Sequence, residues 1–150
     1  MAANTTPIYP VTPYTGIASL IGASAGTSRG PVATASMTST PIFGIALVPA
    51  DSANGRRIDK IIVKGAATAI TGATTAATVI IWYDNGTTSY PYAEILIPVV
   101  TPSASVASLE ASATFSNLVL PAAHKLWASC TVVGAAAAHA LVVFAHGGDY

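Results

Sequence analysis

Thr78–Pro98 reads TVIIWYDNGTTSYPYAEILIP, two runs of β-branched and aromatic residues on either side of Asn85-Gly86. Residues of these types favour strands, and an Asn-Gly pair between two such runs is a strong local signal for a β-hairpin. Because Asn and Gly tolerate positive φ angles, we expect a type I′ turn with Asp84 as its first residue. The stretch therefore predicts an antiparallel pair of strands.

The chain from Pro41 onward repeats this pattern of short apolar runs that end at Gly, Pro, Asn or Asp, at the spacing of a sandwich or barrel. Helices are disfavoured because the alanines are interleaved with Thr, Val and Gly, and Ala135–Leu141 is the one exception. We predict an all-β fold, an antiparallel, jelly-roll-like β-sandwich of seven or eight strands over residues 41–150. The runs interpreted as strands are Ile42–Val48, Ile58–Gly65, Thr78–Tyr83, Ser89–Ile97, Val106–Phe115, Leu118–Leu120, Lys125–Val133 and Ala140–His146.

Two of these strands carry more specific information. Alternation along residues 125–132 directs Leu126 and Cys130 toward the core and leaves Trp127 on the outer or interface face. The run from Ile58 to Lys64 does not alternate cleanly, which indicates a bulge or a strand that is covered on both faces for part of its length.

Residues 1–40 differ from the rest, because they are rich in Thr, Ser, Ala, Gly and Pro and contain one charged residue, Arg29. Such a composition forms neither a helix nor a core of its own. One interpretation is a flexible tail. The other is an extended arm that becomes ordered on a neighbouring subunit through its apolar side chains, which are Ile8, Tyr9, Val11, Tyr14, Ile17, Leu20 and Ile21.

The charge content is low. Charged residues make up 8% of the 150 residues, with a formal net charge of zero, whereas about 25% is ordinary for a soluble domain. A surface of this kind repels its copies weakly, which favours assembly. The lack of net positive charge argues against nucleic-acid binding. We also expect no signal peptide and no membrane, since the longest apolar stretch is shorter than the ~20 residues of a spanning helix.

Groups for chemistry are few and scattered. His124, His139 and His146 do not have the spacing of a zinc site, and no Gly-x-Ser-x-Gly elbow supports a nucleophilic serine. The single Cys130 cannot form an internal disulfide and is expected to be buried, as in a protein that folds in a reducing cytoplasm. We therefore predict no catalytic, metal-binding or cofactor-binding residues, no cofactor and no enzymatic activity.

Three pieces of the chain resemble small β-sandwich virion proteins of tailed bacteriophages, especially capsid decoration or cement proteins. They are Arg57–Ala66 (RIDKIIVKGA), Thr78–Pro98 and Asn117–Cys130 (NLVLPAAHKLWASC). Many members of this group have glycine at the position of Ala123. The resemblance implies jelly-roll-like sandwiches that bind as trimers at capsid symmetry axes and clamp neighbouring capsomers, often through N-terminal arms. It implies no catalytic residues.

We accordingly expect a capsid decoration or cement subunit, made in the bacterial host cytoplasm and located on the capsid surface of the virion. Its partners would be the major capsid protein or another virion protein, and copies of itself in a homotrimer. The candidate partner-binding residues are Ile8, Tyr9, Tyr14, Ile17, Leu20, Arg56, Arg57 and Trp127. Two alternatives stay open. One is another virion structural subunit, and the other is a tail or fibre-associated module that binds host-surface glycans through the aromatic residues Trp82, Tyr83, Tyr90, Tyr92 or Trp127.

Overall fold

The computed structural model describes residues 10, 12–20, 28–39, 42–50, 54–66, 74, 76–132 and 140–150. In this part of the chain the elements are strands, apart from one 3-10 turn at Thr34–Met37. The strands are β1 (Thr12–Ser19), β2 (Val32–Ala33), β3 (Thr38–Ser39), β4 (Ile42–Phe43), β5 (Ile45–Val48), β6 (Arg56–Ala66), β7 (Ala77–Asp84), β8 (Thr88–Ile97), β9 (Glu110–Leu120), β10 (Lys125–Cys130) and β11 (Ala140–Asp149).

Two antiparallel sheets pack face to face. One has four strands in the order β1-β11-β6-β9, and the other has five in the order β2-β8-β7-β10-β5. Strands β3 and β4 form a separate short pair. The prediction of an all-β sandwich is therefore confirmed. The described sheets contain more strands than predicted because β1 and β2 come from residues assigned to the arm.

The hairpin predicted around Asn85-Gly86 is confirmed, since β7 and β8 pair antiparallel from Ala77–Ile97 to Asp84–Ser89. The predicted type I′ turn is wrong, because Gly86 has a positive φ of 93° and Asn85 does not. Side chains hold the turn instead. The Oδ1 atom of Asn85 accepts hydrogen bonds from the backbone N–H groups of Thr87 and Thr88, at 3.0 and 2.9 Å. This Asx arrangement satisfies the turn without a positive φ at Asn85.

The irregularity predicted in Ile58–Lys64 is also confirmed. The pairing of β6 with β11 passes from Ile58–Gly147 to Lys60–His146, which makes Asp59 an extra residue in β6. Ile58 and Ile61 consequently both face the core and are fully buried. An extra residue in a strand reverses the parity of those that follow. Other runs merge or divide: 106–115 and 118–120 contribute to the single strand β9, and Gly44 separates β4 from β5.

The predicted boundary at residue 40 does not divide the described residues. β1 pairs with β11 along its whole length, from Thr12–Asp149 to Ser19–Val142. Ala18 of β1 and Leu20, which follows the strand, lie in the main core. Residues 12–20 are therefore part of the sandwich, because one face of this segment is apolar enough to complete a sheet. Of the possible helix over 135–141, residues 135–139 lie outside the described residues, and Leu141 belongs to β11.

The apolar residues form two clusters. The main core lies between the sheets and includes the inward side chains of β6, β7, β10 and β11. A second cluster lies on the outer face of the five-stranded sheet and consists of Met37, Ile80, Trp82 and Trp127. Residues 28–39, which we call the strap, cross that face and contribute Met37. The strap encloses apolar surface that the alternation of β7 and β10 directs away from the main core.

One turn carries a backbone strain. Ala123, in the connection between β9 and β10, has a φ of 69°, a left-handed conformation that costs a residue with a Cβ about 1–2 kcal/mol. The turn is closed by a hydrogen bond of 3.1 Å from the His124 N–H to the Pro121 carbonyl. Glycine would adopt this conformation without strain.

Candidate functional site

Two of the predicted partner-binding residues, Tyr14 and Arg56, contact each other. The Arg56 guanidinium lies 4.1 Å from the centroid of the Tyr14 ring. Its Nε donates to Oδ1 of Asp149 at 2.6 Å and its Nη1 to the Pro49 carbonyl at 2.8 Å. Burial raises the pKa of Tyr14, Arg56 opposes this increase, and Asp149 adds to it. These contacts join β1, β6 and β11 at one end of the four-stranded sheet.

Arg57 lies beside a pocket at the same end of the molecule. The pocket has a volume of about 240 Å³ and is lined by Pro10, Thr12, Pro13, Arg57, Gly147 and Gly148. The guanidinium is already paired, since its Nε lies 2.8 Å from Oδ1 of Asp59. This pairing partly neutralises the charge of Arg57, one of the predicted partner-binding residues.

The predicted arm residues separate into different environments. Ile8 and Tyr9 lie outside the described residues. Leu20 is buried, and its N–H donates to the Leu141 carbonyl at 2.8 Å. Ile17 points to the outside of the four-stranded sheet and is 59% exposed. Of the described arm residues, Ile17 is thus the one whose apolar side chain is most available to a partner.

Ile17 is part of a larger apolar feature. In the sheet register it stands beside Phe144 of β11, which stands beside Ile62 of β6. Phe144 and Ile62 are partly exposed. We call these three residues the apolar row. Most of their neighbours on the same outer face are polar or charged, among them Lys60 and Lys64, and Val142 adds one further apolar side chain.

Trp127 lies on the outer face of its sheet, as its parity predicts, but the strap covers it and leaves it 8% exposed. Trp82, its cross-strand neighbour, is fully buried, and its Nε1 donates to the Ser129 hydroxyl at 2.8 Å. Neither indole face is therefore open to a glycan or a second protein while the strap is in place. Trp127 serves the chain's own folding in this arrangement.

A buried carboxylate holds the strap to the sheet. Asp84 is fully buried, and its Oδ1 accepts hydrogen bonds from the Thr34 hydroxyl at 2.8 Å and the Gly86 N–H at 2.7 Å. Its Oδ2 accepts from Nε1 of Trp127 at 2.6 Å and lies 3.6 Å from Nζ of Lys125. Burial by itself disfavours the charged form, but these hydrogen bonds and Lys125 together lower the pKa of Asp84. The carboxylate therefore stays ionised at neutral pH and ties three segments together.

The remaining aromatic residues meet where β8 and β9 face each other across the sandwich. The ring centroids of Tyr92 and Phe115 are 5.7 Å apart, and those of Tyr92 and Tyr83 are 6.3 Å apart. Tyr83 meets His124 edge to face at 5.3 Å, and its hydroxyl is hydrogen-bonded to Nδ1 of His124. Burial, followed by the nearby Tyr92, raises the pKa of Tyr83. Its phenol stays protonated at neutral pH.

The groups expected to be poor candidates for catalysis have separate environments. His124 contacts Tyr83, whereas His146 stacks on Phe144 and lies within hydrogen-bonding distance of Thr15. Cys130 is buried, as predicted, and burial raises the pKa of its thiol. Within the described ranges, no group of three or more His, Cys, Asp or Glu side chains could hold a metal ion. His139 lies outside those ranges.

The sequence did not identify all residues of the two exposed features, which are the apolar row and the aromatic cluster between β8 and β9. Phe144 and Ile62 belong to strands that were predicted, and their outward parity could have been read from the buried neighbours Val143 and Val63. Phe115 and His124 carried no local signal, because their aromatic neighbours are distant in sequence.

No helix of the described chain is long and apolar enough to cross a membrane. Comparison of the chain with protein-family models, curated proteins and solved structures gives no match.

Proposed function

We propose that this chain is a non-enzymatic structural subunit of the capsid-decoration kind, which docks on a protein shell through the outer face of the four-stranded sheet. The apolar row on that face carries the proposal. Ile17, at one end of the row, is 59% exposed, and Phe144 and Ile62 continue it across two further strands. Contiguous apolar surface of this kind is typical of interaction sites.

The two outer faces of the sandwich differ, which supports the choice of surface. The outer face of the five-stranded sheet is covered by the chain's own strap over Trp82 and Trp127. In the described part of the chain, no such segment lies over the apolar row. The row therefore offers apolar burial to another protein without prior unfolding of the strap.

The surroundings of the apolar row have the character of an interface rim. Lys64 and Glu110 form an ion pair of 2.9 Å and are each 52% exposed. Lys60 and Thr114 stand opposite each other on the other side of Ile62. An apolar centre with a polar, solvated rim is the usual anatomy of a protein interface. The exposed ion pair contributes little to folding, so it is available for contacts with a partner.

The size of the face favours a contact that depends on repetition. Four strands about 4.8 Å apart and eight residues long, at about 3.3 Å per residue, span roughly 500 Å². This is less than the ~800 Å² per partner of a stable interface between two proteins. A decoration subunit compensates because symmetry repeats the contact on many copies, and a trimer binds through three faces at once.

Two measurements on the purified protein test this proposal. The first is oligomeric state by analytical ultracentrifugation, with a trimer expected. The second is cosedimentation with purified particles of the virus that carries this sequence, where mass spectrometry should find the chain in many copies. Ile17→Lys should weaken cosedimentation at least tenfold, because it replaces the most exposed side chain of the apolar row with a charged one. Leu96→Lys is the matched control, since Leu96 is 74% exposed on the other sheet.

The design of deletions follows from the fold. Removing residues 1–40 would remove β1 and one edge of the four-stranded sheet, so a loss of binding would not identify an arm. Removing residues 1–9 leaves β1 complete and tests the contribution of Ile8 and Tyr9. A monomer that binds no particle, or equal binding by the Ile17→Lys and wild-type proteins, would overturn the proposal.

A further inference from the structure

A second exposed feature is independent of the apolar row. Tyr83, Tyr90, Tyr92, Phe115 and His124 form what we call the aromatic rim, on the side of the sandwich where β8 and β9 come together. The rim connects the two sheets through ring contacts from Phe115 to Tyr92, Tyr83 and His124. Tyr90 stands directly opposite Tyr83 in the β7–β8 register.

Both strands are irregular at this point. The β7–β8 register shifts where Ile81 pairs with Ala93 and Trp82 pairs with Pro91, so Tyr92 is the extra residue. The β6–β9 register shifts between Thr114 and Leu118, which leaves Phe115 in the irregular segment. Bulges re-aim side chains and are frequent beside binding sites. Here the two bulges bring Tyr92 and Phe115 within ring contact of each other.

Packing within the protein leaves part of the aromatic rim exposed. Tyr90 and Tyr92 are 43% and 47% exposed, although aromatic side chains normally bury most of their area. If these rings served only to close the core, the inward faces of Tyr83 and Phe115 would be enough. The exposed faces of Tyr90 and Tyr92 would not be needed. Packing of the core therefore does not account for the exposure of these two rings.

The chemistry of the aromatic rim selects a class of ligand. Each tyrosine combines an apolar ring face with a hydroxyl at its tip, and His124 adds a ring nitrogen beyond the Nδ1 atom that Tyr83 occupies. A sugar ring has the complementary pair, an apolar C–H face and a periphery of hydroxyl groups, and such sites combine aromatic walls with a few polar groups. The five residues include no carboxylate, lysine or arginine, which favours an uncharged ligand.

We infer that the aromatic rim is a binding site for neutral oligosaccharides, with Tyr90 and Tyr92 stacking on sugar rings and Tyr83 and His124 bonding their hydroxyl groups. Trp82 and Trp127, the other aromatic residues considered for glycan binding, take no part because the strap buries them. The site does not depend on assembly into a shell. It requires only the folded monomer.

The test is a printed array of neutral, sialylated and sulfated oligosaccharides, followed by calorimetric titration with the strongest neutral ligand. We expect binding to at least one neutral glycan. Tyr90→Ala and Tyr92→Ala should each weaken it about tenfold, the usual effect of losing one stacked ring. Tyr90→Ala is the more secure variant because Tyr90 makes no ring–ring contact among the described residues. Tyr92→Phe keeps the ring while removing the hydroxyl. Leu96→Ala, on the same strand, is the matched control.

Three outcomes would overturn the inference: an array without neutral ligands, binding that Tyr90→Ala leaves unchanged, or an array without signal in which Tyr90→Ala abolishes binding to viral particles. The last outcome would make the rim a protein contact. Ile17→Lys should leave glycan binding unchanged, because Ile17 lies on β1, at the opposite edge of the four-stranded sheet from β9 and Phe115. This variant separates failure of the glycan site from failure of the proposed docking face.

Discussion

The buried carboxylate of Asp84 makes a sharp prediction about stability. In Asp84→Asn, the Oδ1 atom can still accept from Thr34 and Gly86, but the new amide faces Nε1 of Trp127, a donor that now lies 2.6 Å from Oδ2. The indole N–H then loses its acceptor at a site that is 8% exposed. An unsatisfied buried donor costs about 1–3 kcal/mol, and the loss of charge-assisted bonds brings the expected destabilisation to about 2–4 kcal/mol. Asp84→Ala removes all three acceptor contacts and should cost about 3–5 kcal/mol.

Urea unfolding measures this effect. A domain of this length has a free energy of unfolding of about 7–15 kcal/mol, so both variants should fold. With an m-value of about 2 kcal/mol/M, a loss of 3 kcal/mol lowers the midpoint by about 1.5 M. Trp82 and Trp127 report on the transition because both lie in the cluster beneath the strap. In Asp84→Ala, acrylamide should also quench their fluorescence more strongly.

Asp59→Asn is the control, because Asp59 is also an ion-paired carboxylate, with Arg57 as its partner, but its side chain is 47% exposed. Exposed pairs contribute about 0–1 kcal/mol, so its midpoint should change little. Equal effects of Asp84→Asn and Asp59→Asn would refute the reasoning, since the carboxylate would then not hold the strap.

Four further predictions concern stability in acid, the turn at Ala123, the backbone contact of Gly147 and the thiol of Cys130. The folded state lowers the pKa of Asp84. Its contribution to stability is therefore complete above the pKa of the unfolded state, about 3.9, and is lost as the pH falls through the pKa of the folded state. Urea unfolding curves below pH 5 should show this loss of stability, and Asp84→Asn should make the loss smaller. Ala123→Gly should stabilise the protein by up to about 1 kcal/mol, because its strain at φ 69° is larger than the entropy that glycine adds to the unfolded chain; a lower midpoint would contradict this. Gly147→Ala should cost about 3 kcal/mol or more in urea unfolding, because its Cβ would overlap the Arg57 carbonyl. Cys130 should react with a disulfide reagent at the rate of unfolding, since it is buried and its pKa is raised; rapid labelling of the native protein would show otherwise.

Several features of the fold were predictable because their causes are local. The β7–β8 hairpin follows from two β-branched runs around Asn85-Gly86. The inward position of Cys130 follows from alternation, and the bulge in β6 follows from its interruption at Ile58–Ile61. Each of these signals lies within a few residues of the structure it specifies.

The turn type was mispredicted and the strand at Thr12–Ser19 was not anticipated, for related reasons. Asn-Gly supports more than one turn, and the side-chain acceptors of Asp84 and Asn85 decided between them. The strand at Thr12–Ser19 could not be predicted from the Pro/Gly-rich composition of residues 1–40, because its apolar residues are small and widely spaced. β11, which lies more than a hundred residues later, supplies the pairing partner of this strand.

The sequence by itself therefore determined the fold class, the central hairpin, the parity of the long strands and the low charge that favours assembly, because these depend on composition and short periodicities. Only the tertiary structure decided which surfaces are open. Trp127 points outward yet is covered by the strap, whereas Ile17 points outward and stays exposed beside Phe144 and Ile62. Alternation specifies the face of a sheet on which a side chain lies, but exposure depends on which distant segment crosses that face.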